Sequence, residues 1–480
     1  MKFLHPSDEQ RELTYNDVFI LPQYSDIASR MDVNIAPESK TPMTIPVVVA
    51  NMNAVAGKRM VETVTRRGGL VVLPQDKTME QIQSIVTYIK QRHPVIETPV
   101  ILDEYDTIQT ALNLMNKRAH GAVFIVDSQG KPVGIFTEKD AEMRDLHTAV
   151  ASAMTRTLIT MPDTASPHDI YDKLVASHLT IMPIVDNGGK LVGVITKKGA
   201  VRSQFYTPAL NTKREFYTTV AVGVSAGLEQ KVQRLLDMGV DLLVLDTAHG
   251  DQKRMMDGIK LVRSMIGPTA PLCAGNIVTA EAAERCISAG ANILKVGVGP
   301  GAMCSTRMMT GVGRPQFTAV LETSRVARTL GAEVWADGGI KHPRDVALAI
   351  AAGAHAAYVG SWFAGTYESP ADFLKDEQGR WYKENFGMAS KRAVLGRSSE
   401  IPAFERAQKE FFQEGISHSK MYVKPGEESA EDILDRITFG LRSACTYSGA
   451  RTLKEFSSNV IISSQTDAGF QEGKPVNERW

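Results

Sequence analysis

"PLCAGNIVTAEAAERCISAGANILKVGV", Pro271–Val298, is a strand, a helix and a second strand in quick succession. Pro271–Asn276 and Ile293–Val298 are short continuous apolar runs, the pattern of parallel strands buried on both faces. The segment between them has helical character and ends in Gly290, a helix stop signal. Outward from this unit the pattern repeats. Pro46–Asn51, Leu70–Gln75, Thr219–Val224 and Leu242–Thr247 precede it, and Glu333–Gly338 and Ala356–Ser361 follow. Helical stretches such as "EQKVQRLLDMG" (Glu229–Gly239) separate most of these runs. Eight β–α units predict an α/β fold of the TIM (β/α)8 type, whose chemistry sits at the C-terminal strand ends. An open doubly wound sheet is the competing arrangement. In a barrel the polar strand ends Asn51, Asp246, Asn276 and Asp337 converge on one mouth.

The stretch between the second and third strands is too long for a loop, and it contains a repeat. "GKPVGIFTEKDA" (Gly130–Ala141) matches "GKLVGVITKKGA" (Gly189–Ala200), and "FIVD" matches "PIVD". Thr98 pairs with Thr157 and Lys131 with Lys190, in one ungapped register. Each copy predicts strand, helix, strand, strand, helix. The expected organisation is therefore a barrel from 1–97 and 205–480, with an insert of two copies at 98–156 and 157–204.

Lys+Arg and Asp+Glu are both 54, so no global field favours nucleic acid or an anionic membrane. "MKFLHPSDEQ" lacks the apolar core of a signal peptide, and no apolar run is long enough to span a bilayer. Cysteines 273, 286, 304 and 445 have neither metal-ligand spacing nor the density of a disulfide framework. The expectation is a cytoplasmic protein with free thiols.

One thiol stands apart. "LKVGVGPGAMCSTRMMTGVGRP" (Leu294–Pro315) places Cys304 in a glycine-rich loop after the sixth strand. The G-x-G-x-G spacing is not the dinucleotide fingerprint, which also belongs to the first strand of a βαβ unit. Glycines here let backbone groups turn inward around a ligand or ion. A thiolate on an exposed loop at a barrel mouth can act as a nucleophile. Cys273 and Cys286 fall in a strand and a helix, where cysteine is usually packing.

"GVGPGAMCSTR" with "GRPQ" resembles the active-site loop of the IMP dehydrogenase / GMP reductase family. So do "LTYNDVFILP" (Leu13–Pro22), "IPVVVANM" (Ile45–Met52), "DTAHG" (Asp246–Gly250), "AGNIVT" (Ala274–Thr279), "ADGGI" (Ala336–Ile340), "FGMAS" (Phe386–Ser390) and "RSACTYSGA" (Arg442–Ala450). The resemblance implies a tetrameric TIM-barrel enzyme, paired into octamers through the insert in some members, that acts on GMP or IMP. It implies that Cys304 attacks C2 of the purine. Asp337, Gly338, Gly339, Gly360, Ser361, Gly387, Met388, Ala389 and Gly415 would contact the nucleotide. Position supports part of this set, because barrels often hold phosphate after strands seven and eight, and a carboxylate suits ribose hydroxyls. Asp246, Thr247, Ala248, Gly297, Val298 and Gly299 would meet the nicotinamide cofactor, with Ser443, Cys445 and Thr446 supplied by a neighbouring subunit. The carbonyls of Gly299, Gly301 and Cys304 match the family's potassium site. Phe386 stands where the family often has tyrosine.

The same family both oxidises IMP and reduces GMP. Dehydrogenases carry a water-activating base beside an Arg-Tyr pair on a mobile flap, and 390–415 contains no Arg-Tyr. "MTGVG" and "SACTY" also resemble the reductase branch, although short-form reductases lack the insert. The resemblance thus implies an NADPH-dependent GMP reductase releasing IMP and ammonia. Thr306 and Glu414 would protonate the departing ammonia. Phe411 replaces an Arg of the short-form enzymes, so another cation would have to meet the cofactor. IMP dehydrogenase and a non-catalytic nucleotide sensor are the alternatives. His249 invites a catalytic reading, weighed against a positional one. The insert resembles a tandem CBS pair, which implies a regulatory ATP or GTP site at Thr137, Asp140 and Thr196. Gly199 stands where that pattern would repeat its Asp.

Overall fold

The computed structural model describes residues 1–387, 404 and 418–475. Its centre is a closed parallel barrel of eight strands. These are β1 (Val47–Val49), β2 (Leu70–Leu73), β3 (Thr219–Val222), β4 (Leu242–Asp246), β5 (Leu272–Ile277), β6 (Ile293–Val296), β7 (Glu333–Asp337) and β8 (Ala356–Val359). Each pairs with the next, β8 pairs with β1, and the ring is complete without an open-sheet edge. The open doubly wound alternative is thereby excluded.

Alternation along the strands separates two cores. Val48, Val72, Val244, Ile293, Trp335 and Tyr358 fill the barrel interior. Val47, Val71, Leu243, Leu245 and Val334 face the surrounding helices. Side chains at i and i+2 share a face of a strand. Asp246, Lys295 and Asp337 therefore stand directly above the interior residues Val244, Ile293 and Trp335. The site is the polar top layer of an apolar plug.

The insert forms two three-stranded sheets of matching order. One joins Ile101–Leu102, Ala122–Val126 and Pro132–Thr137; the other joins Met161–Pro162, Ile181–Val185 and Leu191–Thr196. The expected closing helix is present only in the second copy, at Lys197–Phe205. In the first copy a 3-10 turn, Glu138–Ala141, takes its place. Glu142 is already extended at ψ 130°, and Met143 follows at φ 57°, so the helix does not continue there. No helix among the described residues is long and apolar enough to cross a membrane.

Buried ion pairs attach the insert to the barrel. Glu62 lies on α1 (Lys58–Arg66) and is fully buried. It accepts from Arg66 at 2.8 Å, from the Thr98 hydroxyl at 2.7 Å, from Tyr88 at 3.0 Å and from Arg118. At the return crossing, Arg202 on α2 (Lys197–Phe205) meets Glu431, Asp432 and Asp435 on α3 (Ala430–Tyr447) at 2.7–2.8 Å.

Lys383 is 1% exposed on strand Trp381–Asn385, beside the chain that enters 388–417. Its ammonium donates to Ser369 O at 3.0 Å and lies 4.2 Å from the centre of the Phe373 ring. Burial pushes its pKa down to about 7 against the pull of Glu368. The unfolded chain therefore binds more protons between pH 7 and the ordinary lysine value. Stability from this group rises with pH through that window and is lost as pH falls. Wild type should gain up to about 1.4 kcal/mol per pH unit over Lys383→Met above neutrality. Parallel stability–pH curves for the two proteins would contradict this.

Candidate active site

The four polar strand ends expected at one mouth are hydrogen-bonded to each other. Asn51 Nδ2 donates to Asp246 Oδ2 at 2.8 Å, and Asn276 Nδ2 donates to Asp337 Oδ2 at 2.9 Å. Between the two pairs stands Lys295, whose side chain is 4% exposed. Its ammonium reaches Asp246 Oδ1 at 2.8 Å and Asp337 Oδ2 at 2.7 Å, and also donates to Asn276 Oδ1. Burial alone would lower its pKa, but the two carboxylates raise it above the usual lysine range. The paired carboxylates thus favour its charged form. Sequence reading missed Lys295, although the signal was present. A charge in the inward register of an otherwise apolar parallel strand, "ILKVGV", needs a buried partner.

Cys304 follows β6 and is exposed, while Cys273, Cys286 and Cys445 are buried. Desolvation pushes Cys286 and Cys445 up to about 12, so neither forms a thiolate near neutrality. The Cys304 thiol donates to Thr306 Oγ1 at 3.2 Å, and its backbone N–H closes a turn on Gly301 O at 3.0 Å. Thr306 begins the short helix Thr306–Thr310. The loop rests on the end of β7. Gly338 has φ 94°, and a Cβ there would meet Gly301 N at 3.1 Å, so glycine is required by both conformation and space. Gly387 is pressed against Met303, where a Cβ would lie 2.8 Å from its carbonyl oxygen. Gly338 and Gly387 are thus brought to the cysteine loop. Gly360 packs on Met52, and Ser361 opens the turn Ser361–Phe363 after β8.

After Asp246 at the end of β4, Thr247 Oγ1 donates to His249 O at 2.8 Å, and Ala248 and His249 are exposed. Gly297 and Val298 are buried, and Gly297 O already accepts from Asn276 at 2.6 Å. Ser443 and Thr446 lie on α3, with hydroxyls donating to Phe439 O and Arg442 O. Between them the Cys445 side chain packs in the core. Met388, Ala389, Phe411, Glu414 and Gly415 lie outside the described residues.

In the insert, Thr137 and Asp140 engage each other, with the hydroxyl 2.8 Å and the backbone N–H 2.7 Å from the carboxylate. Thr196 Oγ1 accepts from Gly199 N at 2.9 Å. Thr196 also lines a cavity of about 400 Å³ between insert and barrel, with Arg66, Arg118, His120, Lys197 and Arg202. Thr137 and Asp140 are not among its lining residues.

The family description "IMP dehydrogenase / GMP reductase domain" matches residues 12–476. Proteins named GMP reductase from Mycobacterium bovis and Mycobacterium tuberculosis are 48% identical over 480 residues, covering all of both chains. An inosine-5'-monophosphate dehydrogenase from Nitrosopumilus maritimus is 33% identical over 96% of this chain and 98% of its own. Among solved structures, a cysteine-to-alanine variant of Trypanosoma brucei GMP reductase in complex with guanosine 5'-monophosphate superposes with a TM-score of 0.68. It is 31% identical, with 98% of each chain covered.

Proposed function

The chain belongs to the IMP dehydrogenase / GMP reductase family, and on that premise we propose how its residues carry the reductase reaction. The reaction is that of a GMP reductase, converting GMP to IMP. The observation that carries this reading is full-length identity of 48% to proteins named GMP reductase, against 33–34% to the dehydrogenases. The Cys304–Thr306 contact then supplies a chemical starting point.

Once its proton is removed, Cys304 sulfur bonds to C2 of the guanine ring, making that carbon tetrahedral. The C2–N bond then breaks, and the amino group leaves as ammonia with one added proton. An amide anion is too poor a leaving group to depart unprotonated, so a positioned acid is needed. Thr306, 3.2 Å from the sulfur, is placed to relay that proton, with Glu414 as its proposed source. The product is a thioimidate on Cys304. A reduced nicotinamide cofactor, when bound, supplies hydride to C2. Breaking the C–S bond then releases IMP and returns the thiolate. Asp337 and Gly338 hold the nucleotide, and Thr247 and Ala248 form the nicotinamide shelf. We take NADPH as the reductant. The backbone carbonyls of Gly299, Gly301 and Cys304 are hard oxygen donors, as an alkali cation requires. Gly301 O spends one lone pair on the Cys304 amide.

Purified protein should consume NADPH and release ammonia with GMP, and should produce no NADH from IMP and NAD. Accumulation of XMP in the second mixture would instead assign the dehydrogenase reaction, and no turnover in either would favour a sensor. For residues 98–204 we propose a CBS-type pair that takes ATP or GTP. The ungapped repeat and the two matching three-stranded sheets support this. Added ATP or GTP should shift the GMP dependence of wild type but not of Asp140→Ala. Equal responses would refute that placement. We also propose the family's tetramer, in which Ser443 and Thr446 would reach a neighbour's cofactor.

A further inference from the structure

We propose that Lys295 is the positioning residue that couples the nucleotide and cofactor sides of the site. A lysine ammonium has three N–H donors. Lys295 directs one each to Asp246, Asp337 and Asn276 and lies 5.2 Å from the Tyr358 ring centre. Asn276 is itself bound to Asp337, and Asn51 to Asp246, so neither carboxylate can turn without disturbing the ammonium. Asp246 and Asp337 are only 16% and 22% exposed. Two carboxylates in such a setting repel one another unless a cation stands between them. The arrangement therefore fixes their charge and their orientation together. All three N–H donors of Lys295 are taken by protein groups, so its role is to position and not to react. It holds Asp337 for the ribose while holding Asp246 toward the nicotinamide shelf, so that ordering one side preorganises the other.

The inference rests on the proposed assignment of Asp337 to the nucleotide and Asp246 to the cofactor, and the test separates the two. In Lys295→Met, KM for both GMP and NADPH should rise at least about tenfold, with kcat falling less. A rise confined to one substrate, or no change in either, would overturn the coupling. In Lys295→Ala, propylammonium should restore activity, whereas tetramethylammonium, which has no N–H, should not. Equal effects of the two cations would count against a hydrogen-bonding role.

If these variants do not fold, Asp246→Asn and Asp337→Asn carry the test, because both are isosteric. Each should raise KM for both substrates through the shared ammonium. If Asp246→Asn affects only NADPH and Asp337→Asn only GMP, the assignment of sides stands and the coupling fails. If the two effects are exchanged, the assignment itself fails.

Discussion

Cys304→Ala should bind GMP within a few-fold of wild type and turn it over at least about 10⁴-fold more slowly. The reason is chemical. Without the sulfur, nothing converts the guanine C2 amino group into one that a proton alone can expel. Losing a covalent nucleophile costs rates of this order or more in enzymes that form such intermediates. Binding should survive because the change removes one exposed atom from a loop held by backbone geometry. The Gly301 O to Cys304 N–H turn and the fit of Gly338 beneath the loop do not involve the thiol. Titration calorimetry with GMP, steady-state rates and intact mass in the presence of GMP together check the claim. Retention of more than about one hundredth of wild-type turnover would refute nucleophilic catalysis by this residue.

The second large effect concerns Glu62. Its carboxylate is 0% exposed and is shared by Arg66 and Arg118, with Tyr88 and Thr98 completing its hydrogen bonds. Glu62→Met should destabilise the protein by about 3–5 kcal/mol, because it leaves two buried guanidinium groups without their counter-charge. Most of that cost is the buried, uncompensated cation and not lost attraction. Glu62→Met with Arg118→Met should therefore recover part of it in a double-mutant cycle. Denaturant melts measure the first value, and limited proteolysis near Glu97–Thr98 reports whether the insert loosens.

Burial by itself would raise the Glu62 pKa, but Arg118 and Arg66 overcome it and hold the group well below the usual carboxylate range. The sign follows from that depression. Glu62 contributes stability above the unfolded carboxylate pKa, and this is lost as pH falls toward the folded one. Wild type should thus lose stability below about pH 4.5 faster than Glu62→Met. A cost under about 1 kcal/mol in Glu62→Met would show that the junction is held elsewhere.

Local pattern was enough to place the eight strands and the cysteine loop after the sixth. Apolar runs, glycine stops and the repeat in register are properties of neighbouring residues, and burial of parallel strands on both faces leaves a direct trace in them. The ends were less legible. Thr219–Val224 overran the observed Thr219–Val222, and the first repeat's closing helix shrank to Glu138–Ala141, where Glu142 turns extended and Met143 left-handed.

Only closure of the barrel decided the inner partnerships. Asp246, Lys295 and Asp337 sit on β4, β6 and β7, and β4 does not pair with β6. Lys295 meets Asp337 from the neighbouring strand but reaches Asp246 across the barrel interior from a strand it does not pair with, a relation no window of sequence contains. Cys445 shows the converse. Its motif resembles a cofactor-contacting segment, which says nothing of its side chain, and the packed face of α3 turns the thiol into the core. Chain periodicity therefore specified which residues point inward, and tertiary structure alone specified what each one meets there.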